Sequence, residues 1–148
     1  TWQPSEADPS TLPGIDAHAR ASAATNIAGA VLHDAASDEW PVHRATAIFA
    51  ANLVHIAPWP VAQGLMRGAG RVLPSGGRLV LYGPFRRHGA HTAPSNEVFD
   101  RSLRAQNAAW GVRCLDTELE PLAKAVGLAR RRVVQMPANN LITLWQKA

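Results

Sequence analysis

Apolar residues along this chain fall into two rhythms, short unbroken runs and helical spacings of three and four, and the switches between them divide it into elements. Pro4 and Pro9 bracket Ser5-Glu6-Ala7-Asp8 and disfavour helix just before them, so the first residues read as extended. From about Ser10 to Ala23, Leu12, Ile15 and Ala19 recur at helical spacing, which predicts a short helix with Ser10 or Asp8 as its N-cap. Ala30-Val31-Leu32 reads as a brief strand ending at His33-Asp34, and the polar, Pro-interrupted stretch from Ser37 to Arg44 as a loop. Thr46 to Ala51 is a continuous apolar run, the pattern of a strand buried on both faces of a parallel sheet, and Asn52 ends it. Beyond Pro58 and Pro60, Val61, Leu65, Ala69 and Val72 paint one helix face, which Pro74-Ser75-Gly76-Gly77 terminates. Arg78 to Tyr82 supplies a second buried strand. Two strands joined by a helix make a βαβ unit.

Gly83 to Ser95 is then a long Gly, Pro, His and Thr loop, of a length more often functional than not. Ser95 is placed as an N-cap with Glu97 in the first turn, and Phe99, Leu103 and Trp110 follow at helical intervals. Asp116 is expected to cap a further helix whose Leu119, Leu122 and Val126 face the core and which Gly127 closes. Val133 to Met136 and Leu141 to Trp145 form a hairpin across Pro137-Ala138-Asn139-Asn140. No internal repeat or low-complexity tract interrupts this order. Polar residues stand where the chain leaves its apolar strands, the place where open α/β sheets put ligands.

Composition sharpens this only at a few points. A chain of 148 residues suffices for one domain, residues 1–148, burying roughly 68–70% of its unfolded surface. Hydrophobic content of 47% against 18% charged residues excludes wholesale disorder. No apolar run approaches the roughly 20 residues of a membrane span, and no secretory leader is visible, so no membrane partner is expected. Cys114 is the single cysteine; it cannot form an internal disulfide, and a reducing cytoplasm fits best. The net charge of +4 comes almost wholly from Arg, clustered at Arg86-Arg87 and Arg130-Arg131-Arg132. Two short clusters without interleaved aromatics argue against nucleic-acid binding and for a solvated basic face.

Five stretches together carry a resemblance. They are Trp2-Gln3-Pro4-Ser5; Asn52-Leu53-Val54-His55-Ile56 with Pro58-Trp59; Tyr82-Gly83-Pro84-Phe85 leading to His91-Thr92-Ala93-Pro94-Ser95-Asn96; Trp110-Gly111-Val112-Arg113; and Pro137-Ala138-Asn139-Asn140-Leu141. In this order the chain resembles an uncharacterised family of class I S-adenosylmethionine-dependent methyltransferase-like proteins, known only as a domain of unknown function. The resemblance implies an α/β fold with a Rossmann-like, mostly parallel sheet ending in an antiparallel hairpin, here truncated at its N-terminal side. It implies that Trp2-Gln3-Pro4 ends the second strand of the family sheet, and that Glu6 stands where an acid accepts both ribose hydroxyls. Asp34 resembles the acid that reads the adenine amino group. Asn52 is implied beside the methionine part of the cofactor, and His55 and Tyr82 are the catalytic candidates, with His55 as a general base where the acceptor needs one. Arg86, His91, Asn96 and Asn139 are implied on the acceptor side. Two departures stand out. No Gly-rich cofactor turn of a first strand is present, and His43-Arg44-Ala45 stands where an acid is common. The family's second and third strands would then pair directly with the fourth, pair with another chain, or lack order; a truncated chain, a late start codon or a natural remnant that dimerises is the expectation.

Each candidate also has a plainer reading. Glu6 equally suits a solvated loop acid and Asp34 a turn residue. His55 equally suits a hydrogen-bonded structural histidine. His88, His91 and His55 make a poor metal set, so no metal is expected. Trp59 and Trp110 suit packing, and Asn139-Asn140 is foremost a turn signal. The leading functional reading is methyl transfer from S-adenosylmethionine to an unknown acceptor of small-molecule class, with cofactor binding weak or absent in this chain alone. The alternative is a non-catalytic remnant acting as a binding or dimerisation module, a homodimer completing the sheet. A nicotinamide-dependent Rossmann enzyme is a poorer third, since it needs a Gly-rich fingerprint.

Overall fold

The structure, a computed structural model, describes residues 1–148. In chain order the elements are β1 (Ser5–Glu6), a 3₁₀ turn leading into α1 (Leu12–Ala21), β2 (Val31–Leu32), β3 (Ala47–Ala51), α2 (Trp59–Val72), β4 (Arg78–Gly83), α3 (Pro94–Gln106), a π-helical turn (Leu115–Leu119) running into α4 (Glu120–Ala125), β5 (Leu128–Gln135) and β6 (Leu141–Lys147). β3, β4, β6 and β5 form one mixed sheet in that order, with β3 parallel to β4 and the last three strands antiparallel. β1 and β2 form a separate parallel pair. They bond to each other and not to β3, so the second and third strands of the family pattern are ordered without being joined to the fourth.

The core lies between the larger sheet and the helices on it. Leu79 and Leu81 of β4 and Trp145 of β6 meet Ala62, Leu65, Met66 and Ala69 of α2, with Leu119, Ala123 and Leu128 completing the cluster. Burying each large apolar side chain stabilises by about 1.5–3 kcal/mol. α2 begins at Trp59, earlier than its apolar spacing suggests, because Pro60 fits a first helical turn where no N–H is needed. It buries more than one face: Ala62, Gly64, Met66 and Gly68 are covered as well. The extra cover comes from the loop between β2 and β3, whose Ala35 backbone occupies the space beside Gly64 and whose Trp40 indole lies against Gly68. Gly68-Ala69-Gly70 thus has the spacing of a cofactor fingerprint but sits inside a helix and serves packing, Gly70 against Val126.

Several expectations are corrected. β3 is not buried on both faces: Ile48 and Ala50 pack against the core, while Ala47, Phe49 and Ala51 on the other face are exposed, Phe49 to 47%. α1 has the expected face, but Leu12, Ile15 and Ala19 are only half-buried. Asp8 caps the preceding turn through Ser10 N–H at 2.8 Å. α3 ends at Gln106, so Trp110 lies in the turn beyond it. Ser95 does not cap α3; its hydroxyl instead accepts from Asn139 Nδ2 at 3.0 Å. Asp116 is no cap either, having been taken by arginines as described below. The hairpin runs longer than predicted, with Val133 opposite Thr143 and a bulge at Arg130–Arg132.

Gly68→Ala places a Cβ inside the Trp40 ring. The expected cost is about 1–3 kcal/mol, typical of overpacking. Urea denaturation followed by tryptophan fluorescence measures it, and an unchanged midpoint would show that the 33–42 loop does not press on α2.

Candidate functional site

Because β3 and β4 are parallel, both leave the sheet at the same end, and Asn52 N–H donates to the Tyr82 carbonyl at 2.8 Å there. Asn52 takes a left-handed conformation, φ 57°. Asn is one of the few residues that adopts it readily. This reverses the chain at once, and the Asn52 carbonyl accepts from His55 N–H at 2.9 Å and Ile56 N–H at 3.2 Å. His55 is thereby folded under the strand end, where its side chain is fully buried against Phe85, ring centroids 4.6 Å apart.

Two bonds fix His55 further. Its carbonyl accepts from Gly111 N–H at 2.9 Å, and its Nδ1 accepts from Arg113 N–H at 3.1 Å. An acceptor nitrogen is unprotonated, so the proton of the neutral ring sits on Nε2. Nε2 is buried without a partner and points at Gly83, where a Cβ would lie 2.5 Å from it. Burial, and then the Arg113 charge, push the His55 pKa down to about 3. Arg113 is itself buried and bonds only to carbonyls: Nε to Val54 at 3.0 Å, and Nη2 to Ala57 at 3.0 Å and Ala109 at 2.7 Å. Its guanidinium also lies 5.5 Å from the Trp59 ring centroid.

The loop after β4 is held just as firmly. Arg86 donates to Glu118 at 2.7 Å and to the Val112 carbonyl at 3.0 Å. Arg87 and Arg130 both reach Asp116, at 3.0 and 2.9 Å, and His88 N–H adds a bond at 2.7 Å. Burial alone would raise the Asp116 pKa, but the bonds from Arg87, His88 N–H and Arg130 outweigh it and hold the carboxyl well below the usual range. Arg130 also pairs with Glu120 at 2.7 Å. Most of the two basic clusters is therefore neutralised internally. His91 Nε2 stands 3.5 Å from Asp100, which also takes Arg104 and Val112 N–H. Asn96, buried, donates to Thr92 Oγ1 at 3.1 Å and to the Asn139 carbonyl at 2.9 Å. Ala138 and Asn139 both have left-handed φ, so the hairpin tip curls onto the start of α3.

The expected site residues thus divide by what remains free. Arg86, Asn96 and Asn139 are committed to hydrogen-bond partners within the chain, Asn96 and Asn139 to each other, while His91 lies beside Asp100 with its Nδ1 buried and unpartnered. Asn52 and Tyr82 sit side by side at the strand ends with side-chain polar atoms bonded to nothing in the chain. Glu6 and Asp34 lie at the ends of β1 and β2. One oxygen of Glu6 accepts Ala7 N–H at 2.7 Å, and one of Asp34 accepts Ala36 N–H at 2.8 Å, leaving the second oxygen of each free. His55, His88 and His91 do not converge, and no group of three His, Cys, Asp or Glu side chains is placed to hold a metal ion. No helix is long and apolar enough to cross a membrane. Sequence reasoning missed Arg113 and Asp116 as organisers, since the role of each depends on partners far along the chain; Gly83, a glycine ending a strand, was a usable signal.

The profile of a family described as "Protein of unknown function (DUF938)" matches residues 1–147. CalO1, a methyltransferase in calicheamicin biosynthesis in its SAH-bound form, is similar at 23% identity and TM-score 0.67, over 84% of this chain and 35% of its own. Human N-acetylserotonin methyltransferase in complex with SAM is similar at 14% identity and TM-score 0.76, over 99% of this chain and 39% of its own. A pericyclic reaction enzyme is similar at 15% identity and TM-score 0.77, over 99% of this chain and 36% of its own. The fold is therefore the α/β methyltransferase fold, and the chain spans 35–39% of the length of these three proteins.

Two outcomes are expected. Gly83→Ala drives a Cβ into His55 Nε2 and lowers stability by about 1–3 kcal/mol, measurable by chemical denaturation. The second concerns acid. His55 is depressed in the folded state, so its contribution is fully present above the unfolded value near 6.5 and is lost as pH falls toward about 3. Across that window stability should fall by up to about 1.4 kcal/mol per pH unit from this group. A His55→Gln variant should show a shallower pH dependence; equal slopes would mean that His55 takes up its proton while folded.

Proposed function

The chain belongs to the DUF938 family, and on that premise we propose that it forms the acceptor-side half of an S-adenosylmethionine-dependent methyl-transfer site. The observation that carries this reading is Asn52 and Tyr82, unbonded polar side chains at the adjacent ends of two parallel strands. They stand in a fold shared with methyltransferases that bind SAM or SAH. The fit to the cofactor rests on what is free: the second oxygens of Glu6 and Asp34 are acceptor-only groups, suited to ribose hydroxyls and an amino group. The bound cofactor would supply an electrophilic methyl on a sulfonium. The chain's own part is then mainly positioning, which needs no strong base.

In this reading His55 acts through others. A ring buried, neutral and held by Arg113 N–H cannot exchange protons with an acceptor outside the protein. It fixes the turn that presents Asn52. Arg86, Asn96 and Asn139 likewise brace the wall rather than line it with free groups. The acceptor is a small molecule of unassigned class, and the pericyclic reaction enzyme of the same fold marks how far chemistry varies on it. The second reading is a non-catalytic binding module.

Thermal denaturation with S-adenosylhomocysteine separates the two. At 100 times the dissociation constant the ligand should stabilise by roughly 2.7 kcal/mol. The gain should shrink in Glu6→Gln and Asp34→Asn variants. An unmoved melting temperature at millimolar ligand would sink the cofactor reading and leave the binding module.

A further inference from the structure

β5 is the last strand of the larger sheet, paired with β6 on one side and open along the other. The pairing with β6 decides which of its backbone groups stay free. Met136 N–H donates to the Asn140 carbonyl at 2.9 Å, and from there the register sets Val134 opposite Ile142 and Arg132 opposite Leu144. In an antiparallel ladder the residues that bond across it alternate with residues whose N–H and C=O point away. Val134 and Arg132 therefore face β6, while Val133 and Gln135 turn their backbone groups to the open edge. Arginines flank that edge on both sides. Arg130 opposes Trp145, over whose ring its guanidinium lies at 5.7 Å, and Arg132 opposes the next residue, Leu144, so the two side chains leave opposite faces of the sheet. Arg130 is matched by Asp116 and Glu120, but Arg131 and Arg132 are exposed and make no ion pair.

We infer that the β5 edge is a docking site for an acidic polypeptide segment, which adds to the sheet as a further strand with its main chain on Val133 and Gln135 and its carboxylates on Arg131 and Arg132. Charge selects this occupant. An open edge is a template for strand addition, in which main-chain bonds give affinity and alternate side chains give selectivity. Two β5 edges laid together would set like charges against each other, which excludes a second copy of this strand. The same two arginines that repel a copy attract a segment carrying Asp or Glu, so rejection and selection come from one pair of side chains. The other members of the two basic clusters are matched within the chain, which confines the unmatched charge to this edge. A nucleic acid would use the charges alone and would leave the Val133 and Gln135 backbone groups without partners.

The test is amide hydrogen exchange on the 148-residue chain with the capped peptide acetyl-Thr-Val-Glu-Glu-Val-Glu-Thr-amide at millimolar concentration. The amides of Val133 and Gln135 should slow by about tenfold or more, while those of Arg132 and Val134, which face β6, should not change. Replacing each Glu of the peptide by Gln should weaken binding about threefold to tenfold, and so should Arg131→Gln with Arg132→Gln in the protein. N-methylation of every second peptide residue should weaken binding at least about tenfold with the charges unchanged. No protection, undiminished binding by the Gln peptide, or equal binding by the methylated peptide would overturn the inference. Tighter binding of a single-stranded oligonucleotide of equal charge, with Val133 and Gln135 exchanging as before, would assign the arginines to nucleic acid and overturn it as well. Protection of the two amides by raised protein concentration alone would assign the edge to a second copy, with the same result.

Discussion

Irregular backbone can be buried only if each of its polar groups finds a partner, and everything at the strand ends follows from how that condition is met. The turn from Asn52 to Pro58 and the segment from Asn107 to Cys114 are both buried in part and neither is a helix or strand. Arg113 resolves this by giving its guanidinium to three carbonyls instead of to a carboxylate, two of them in the turn and one in its own segment. His55 completes it by taking Arg113 N–H on Nδ1 and Gly111 N–H on its carbonyl. A lysine could not do this, since a point charge lacks the planar fork that reaches separate carbonyls. The positive charge beside the ring also explains why His55 must stay neutral.

With that junction fixed, the loop after β4 becomes a wall. The ten residues between β4 and α3 lack regular structure, and such a segment would ordinarily be mobile. Here Arg86 and Arg87 tie the loop to Glu118 and Asp116, and Asn96 and Asn139 tie its far end to the hairpin tip. The ion pairs are only partly exposed, which protects them from the screening that makes surface pairs worth little. Two consecutive left-handed non-glycine residues, Ala138 and Asn139, show what the hairpin tip gives up to make this contact.

Much of this was legible in the sequence. The apolar runs at Thr46–Ala51 and Arg78–Tyr82 and the helix stripe between them located β3, α2 and β4 to within a few residues, since buried periodicity is a strong signal. What failed was whatever depended on partners far along the chain. Asp116 looks like a cap because Asp before a helix usually is one; Arg87 and Arg130 claim it only after the fold brings them there. Phe49 looks buried because its run is apolar, yet which face of β3 the core covers is invisible in local pattern. Arg86 and Asn96 read as ligand groups for the same reason that they make good braces: both chemistries need a polar side chain beside a strand end.

The two halves of the candidate site differ in how they are held, and that difference bears on affinity. Asn52 and Tyr82 rise from a four-stranded sheet with a full core behind it. Glu6 and Asp34 rise from a pair of two-residue strands whose residues are mostly exposed. An isolated two-stranded element is marginal in water, so any ligand gripping both halves must supply the cost of ordering the weaker one. Local hydrogen bonds reduce that cost only slightly, because Glu6 and Asp34 bind neighbouring amides and not the larger sheet. On the methyl-transfer reading, the acceptor wall is the part of the site that the chain's own core and ion pairs hold in place.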